Sequence, residues 1–227
     1  MDIELIHRPG NTAAKVKLAQ GEICTAESGA MIAMSGNMDV TTTTHKKQGG
    51  GLMKAIKRMV AGESLFLNHF EPKSGDGEVW FGATLAGDMM AYELDNESLI
   101  VQGGSFMACE HSVEIDLGWQ GFKSILSGES VFWLHMKGKG KVLLNSFGAI
   151  YPVEVDGEYI VDTGHIVAFN ETLDFTITKA GKSWMHSFLG GEGLVCKFHG
   201  KGTVWCQSHN PSSFGWAMSS GLKPRKA

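Results

Sequence analysis

A Gly-Glu pair followed by an apolar run occurs three times in this chain. It appears at Gly62-Glu63-Ser64-Leu65-Phe66, at Gly128-Glu129-Ser130-Val131-Phe132 and at Gly191-Glu192-Gly193-Leu194-Val195, at intervals of 66 and 63 residues. A Gly-x-Gly segment follows each: Gly75-Asp76-Gly77, Gly138-Lys139-Gly140 and Gly200-Lys201-Gly202. A second motif recurs with it: Ser28-Gly29-Ala30-Met31-Ile32-Ala33-Met34, Gly103-Gly104-Ser105-Phe106-Met107-Ala108-Cys109 and Thr163-Gly164-His165-Ile166-Val167-Ala168-Phe169. Self-similarity at a fixed period means one supersecondary unit used several times, so it constrains the fold before any single residue does.

The units read as β. Segments such as Asp39–Thr44, Gly77–Phe81, Asp95–Val101, Lys141–Leu144, Glu154–Val161, Leu173–Thr178 and Thr203–Cys206 are short, β-branched or aromatic, and alternate. Most of the 30 glycines fall between them, as tight turns require, and prolines number only 5. The Gly-x-Gly segments read as hairpin turns, with Gln20-Gly21, Asp95-Asn96 and Asp156-Gly157 as further turns. The order of motifs suggests a permuted array within a single domain, residues 1–227. Residues 50–116 and 117–180 form complete units, and 14–44 and 181–218 form complementary halves of a third. Pairing of those halves would close a pseudo-threefold body and remove an exposed sheet edge. Gly51–Val60, Trp119–Leu126 and Trp184–Leu189 read as short helical connectors. Lys54, Lys57 and Arg58 on the first make it the one basic amphipathic stretch, a pattern that also suits a membrane surface.

Hydrophobic residues are 43% of the chain and charged residues 19%, which suits a packed globule rather than a disordered chain. The net charge of −4 argues against a dedicated nucleic-acid binder, despite local clusters at Lys46 and Lys47, at Lys137, Lys139 and Lys141, and at Lys223, Arg225 and Lys226. Cys24, Cys109, Cys196 and Cys206 form no C-x-x-C pair and read as buried reduced thiols of a cytosolic protein. No signal-peptide pattern opens the chain, and no apolar stretch approaches the roughly 20 residues of a spanning helix.

Candidates for chemistry are few, and the repeats explain most of them. His69 and His135 each lie seven residues after a repeat glycine, and His199 lies one residue beyond the matching position, Phe198. Three repeat-related imidazoles are the metal candidates, although a recurring module repeats its polar residues without any metal. No H-x-H or H-E-x-x-H spacing occurs. Glu63, Glu129 and Glu192 recur as turn acids and read as structural. No nucleophile elbow, Walker A or dinucleotide fingerprint is present. No catalytic residue and no cofactor is therefore assigned. The 12 Met, 12 Phe and 6 Trp, with runs at Met89-Met90 and Phe214–Met218, suit a core or an oligomer interface.

The run Ala61-Gly62-Glu63-Ser64-Leu65-Phe66-Leu67-Asn68, the run Glu27–Met34 and the copy at Gly103–Ala108 resemble the altered-inheritance-of-mitochondria 24-like family, across nearly the whole chain. That resemblance implies an all-β, TRAP-like fold of three tandem pseudo-repeats. Each would be a β-sandwich module related to the tryptophan RNA-binding attenuation protein and to double-stranded β-helices. It also implies a homo-oligomer, with a trimer building a ring of modules, and little chemistry. The attenuation protein's ligand-binding residues have no counterpart motif here. The expectation is thus a cytoplasmic bacterial protein acting as a non-enzymatic oligomeric binding or assembly scaffold. A cupin-like metal enzyme or small-ligand sensor using the repeat-related histidines is the alternative. RNA binding by fold analogy and peripheral membrane association are weaker ones.

Overall fold

The computed structural model describes residues 1–44, 66–116, 133–179, 194–219, 221 and 222. Among these residues there are fifteen strands and one helix, so the protein is all-β with sandwich-like sheets. In chain order the strands are β1 (Asp2–Ile6), β2 (Ala13–Leu18), β3 (Cys24–Glu27), β4 (Met31–Met34), β5 (Met38–Thr44), β6 (Phe66–Pro72), β7 (Gly77–Gly82), β8 (Met89–Gln102), β9 (Phe106–Glu110), β10 (Val113–Asp116), β11 (Trp133–Asn145), β12 (Ile150–Asp162), β13 (Ile166–Asn170), β14 (Asp174–Lys179) and β15 (Leu194–Gln207). Helix α1 (Pro211–Ser219) closes the described chain.

One sheet has four strands in the order β1-β2-β7-β4. The other has eleven; its path runs β12-β15-β13-β8-β11-β9-β3-β6-β5, with β10 added to β11 and β14 to β15. All the strand pairs are antiparallel, as suits short alternating segments that bury one face. β8 runs beside β11 from Met89 opposite Asn145 to Gln102 opposite Trp133. β12 runs beside β15 in the same way, from Ile150 opposite Gln207 to Asp162 opposite Val195. β2 and β3 pair with β7 and β6, from Ala13 opposite Gly82 to Glu27 opposite Leu67. Two further pairs tie these sets together. β3 meets β9 with Ala26 opposite Ala108, and β8 meets β13 with Val101 opposite Ala168.

The expected pairing of 14–44 with 181–218 is not among the strand pairs of the described residues. Residues 13–44 find their partners in β1, in residues 66–82 and in β9, and no strand pair among the described residues joins them to β15. Sequence repetition identifies matching strands but leaves open which copy each one pairs with.

The Gly-x-Gly segments also behave differently from one another. Gly75 sits at φ 63 in a true turn between β6 and β7. Gly138 (φ 110) and Gly140 (φ 148) instead lie inside β11, where the ladder with β8 shifts register at Gly138/Lys139. Gly200 (φ 116) lies inside β15. A glycine at positive φ serves a bulge as well as a turn, so the long strands bend and continue. Asn96 (φ 61) and Gly157 (φ 106) likewise bend β8 and β12 instead of ending them.

The core forms three clusters. One centres on Ala14, Val16, Phe70, Val79 and Phe81, the next on Leu94, Leu99, Phe106, Leu134 and Val142. The last contains Trp133, Phe169, Cys196, Phe198 and Val204. In it Phe169 meets the rings of Trp133, Phe175 and Phe198 at centroid distances of 5.5, 5.1 and 5.0 Å. These are edge-on aromatic contacts, which add to the area they bury. The connector helices expected at 51–60, 119–126 and 184–189 lie outside the described residues.

Candidate functional site

The histidine candidates are not brought together. His69 on β6 contacts the hydroxyl of Thr25 through Nδ1 at 2.9 Å and that of Thr43 through Nε2 at 2.7 Å. His135 on β11 is buried, with Nε2 3.2 Å from Glu171. His199 on β15 contacts the Gly157 carbonyl through Nδ1 at 3.2 Å. Among the described residues, no three His, Cys, Asp or Glu side chains are grouped so as to hold a metal ion. The register also revises the third copy. His69 faces Thr25, His135 faces Ile100, and the matching Ile160 is faced by Lys197, neither Phe198 nor His199. Lys197 pairs with Glu158 at 3.3 Å.

The four thiols are buried and unbridged. Burial pushes Cys24 and Cys196 up to about 12, Cys206 up to about 11 and Cys109 well above its usual value, so none is a ready nucleophile. Glu63, Glu129 and Glu192 lie outside the described residues, as do Lys46, Lys47, Lys54, Lys57, Arg58 and the C-terminal basic cluster.

Two other features stand out. The first is a pair of open edges. β4 ends one sheet and β12 ends the other. β4 carries the same Gly-x-x-x-Ala motif as β9 and β13, whose first four residues are buried, yet all four residues of β4 are exposed. Ile32 is 59% exposed. In β12, Glu158 to Ile160 are exposed, Ile160 by 53%, while the matching Leu99 and Ile100 of β8 are fully buried against β13.

The second feature is a cleft of about 500 Å³ where β3, β8 and the segment after β7 meet. Glu27, Ser28, Gln102, Ser105, Asn145 and Gln207 supply its polar lining, and Leu85, Met107 and Phe147 its apolar part. Glu27, the last residue of β3, is the single ionisable lining residue among the described residues, and burial pushes that carboxyl up to about 7.

Beside the cleft the segments between long strands are strapped together. Asp88 accepts bonds from Arg8 Nε (2.9 Å) and Nη2 (2.8 Å), from the Thr12 hydroxyl (2.8 Å) and from the Met89 amide (2.8 Å). Burial raises its pKa, but those bonds outweigh burial and hold the carboxyl below its ordinary value. Gly87 bridges to Gly148, and a Cβ on Gly87 would fall onto the Ser146 carbonyl, so the approach requires glycine.

Helix α1 escaped the sequence reading, although its signal is local. Asn210 Oδ1 accepts from the amides of Ser212 (2.9 Å) and Ser213 (3.2 Å), with Pro211 as first helical residue. It carries exposed Phe214, Trp216 and Met218. No helix among the described residues is long and apolar enough to cross a membrane.

Long antiparallel strands with recurring motifs and no metal-ligand grouping among the described residues define an all-β protein whose distinctive surfaces are edges and a cleft. The family model for mitochondrial biogenesis AIM24 matches residues 3–209, and the chain belongs to that family. It is 30% identical over 207 residues to an uncharacterised protein of Streptococcus pyogenes serotype M6, covering 88% of this chain and 82% of that one. A Streptococcus pyogenes protein solved by X-ray crystallography superposes with a TM-score of 0.81 at 28% identity, over 97% of this chain and 99% of the other.

Proposed function

We propose that the chain is a non-enzymatic, self-assembling scaffold whose copies join head to tail, β4 of one beside the second half of β12 of the next. Three modules, residues 13–82, 89–145 and 150–207, carry it. Each consists of one long strand pair, or its broken equivalent in the first, and each centres on one core cluster. Inside the chain, successive modules meet through β3 with β9 and through β8 with β13. Continuing that register places Val161 opposite Ala33 and Ile160 opposite Met34 of a second copy. The exposure of β4, against the burial of its counterparts β9 and β13, is the observation that carries this reading.

A junction between two different surfaces is heterologous, and it ends in either a closed ring or an open filament. We take a ring of three chains as the form reached, in line with the TRAP-like arrangement that the resemblance implies. Closure pairs both edges and hides Ile32 and Ile160, each contributing about 1–2 kcal/mol as its exposed part leaves water. The four buried thiols fit a reducing compartment, the cytoplasm.

Native mass spectrometry and light scattering test this reading. The wild type should be trimeric at micromolar concentration. Ile160→Lys and Ala33→Pro should each yield monomers with unchanged β circular dichroism. A monomeric wild type, or variants that assemble as it does, would refute the scheme.

A further inference from the structure

The three strand sets differ at one shared position. The residues that end the long strands occupy matching register positions: Gly82 faces Ala13, Asn145 faces Met89 and Gln207 faces Ile150. Gln207 donates from Nε2 to the Gly164 carbonyl at 2.9 Å and accepts the Phe147 amide through Oε1 at 2.8 Å. Asn145 reaches the Gly104 carbonyl in the same sense, at 3.4 Å. Position 82 has no side chain to offer the equivalent Gly29.

Around Gly164 the chain is filled: a Cβ there would meet the Asn210 amide. Around Gly29 a Cβ would meet nothing within 4 Å, and the space opens into the cleft of about 500 Å³. That volume lies within the range of small-molecule sites. Gln102, at the position matching Glu27, accepts from the Ser105 hydroxyl at 3.4 Å. Glu27 is half-buried on the cleft wall, and no described residue forms an ion pair with it. A carboxylate withdrawn from water without a counter-charge is costly unless a cation joins it.

We propose that this cleft is a binding site for a small organic amine, its ammonium group held by Glu27 and its apolar body laid against Leu85, Met107 and Phe147. Ser28 and the Gly29 carbonyl, near the missing side chain of position 82, provide the remaining acceptors for ammonium protons. A neutral molecule of the same shape lacks the charge that Glu27 requires, so the site discriminates on charge before size.

Isothermal titration of the full chain at pH 7.5 with tyramine and n-butylamine, against the neutral isosteres 4-ethylphenol and n-butanol, tests it. At least one amine should bind saturably and at least tenfold more tightly than its isostere. Glu27→Gln should erase that preference while leaving the β circular dichroism and the oligomeric state intact. Thr84→Trp, placed on the exposed rim of the cleft, should block binding without touching the carboxylate. Absence of saturation by both amines up to 10 mM, equal affinity for the isosteres, or undiminished binding to Glu27→Gln would each overturn the proposal.

Discussion

Substitution of Asp88 by alanine removes the acceptor for four hydrogen bonds at once. Thr12 and Met89 are buried, so the hydroxyl of one and the amide of the other lose their acceptor where water does not reach, at about 1–3 kcal/mol each. Arg8 is 49% exposed and rehydrates when released, so its share is discounted to under about 1 kcal/mol. The total is about 3–4 kcal/mol, which for a domain of this size lowers Tm by about 10 °C. Urea unfolding followed by tryptophan fluorescence measures it, with Arg8→Ala as the milder control. The sign with pH is fixed as well. The carboxyl is held below its unfolded value, so its stabilisation is complete above an unfolded pKa of about 3.9 and is lost as pH falls through the folded value. The gap between wild type and Asp88→Asn should therefore shrink on acidification below about pH 4. A loss below about 1 kcal/mol for Asp88→Ala, or a gap that widens in acid, would refute the reasoning.

Glu27 gives the opposite slope. Burial lifts its folded value to about 7, so the folded state binds the extra proton and stability falls as pH rises from about 4.3 to about 7. Glu27→Gln should match wild type at pH 4 and exceed it by about 3–4 kcal/mol at pH 8 in urea titrations, flattening the profile. Phe169→Ala should cost about 3–5 kcal/mol and weaken the near-ultraviolet dichroism of Trp133, whereas Phe169→Leu should cost about 1 kcal/mol. Equal losses for the two would show that the ring contacts, and not the volume filled, carry the stability.

Strand content was legible because alternation and turn glycines are local. Asp39–Thr44, Gly77–Phe81 and Leu173–Thr178 fall on β5, β7 and β14 almost residue for residue. The strand partners were not legible. The shared motifs match residues 14–44 to the C-terminal segment, whereas pairing follows the register that buries Val16, Leu18 and Cys24 against residues 66–82. Gly138 and Gly200 carry the composition of a turn, and a facing strand that continues past them turns the same residues into bends. The histidine alignment slipped by one residue because the interval after Gly191 is shorter than its counterparts, and only cross-strand register exposes Lys197 as the match. The cleft joins residues far apart in the chain, and Glu27 reads in sequence as an ordinary acid before a glycine turn. The Asn210-Pro211 cap, by contrast, is a local signal for α1.

Gly82, Asn145 and Gln207 occupy one register position three times over in a single polypeptide. In an assembly of identical short subunits, a substitution at that position would alter every joint together, and selection would weigh the sum. A single chain that holds the position at three separate residues separates them. Loss of a side chain at position 82 opens one wall, while Gln207 goes on sealing another, and neither change is imposed on the rest. Such a chain can keep two seams for cohesion and leave a third free to vary, so diversification of its surface need not erode the framework that displays it.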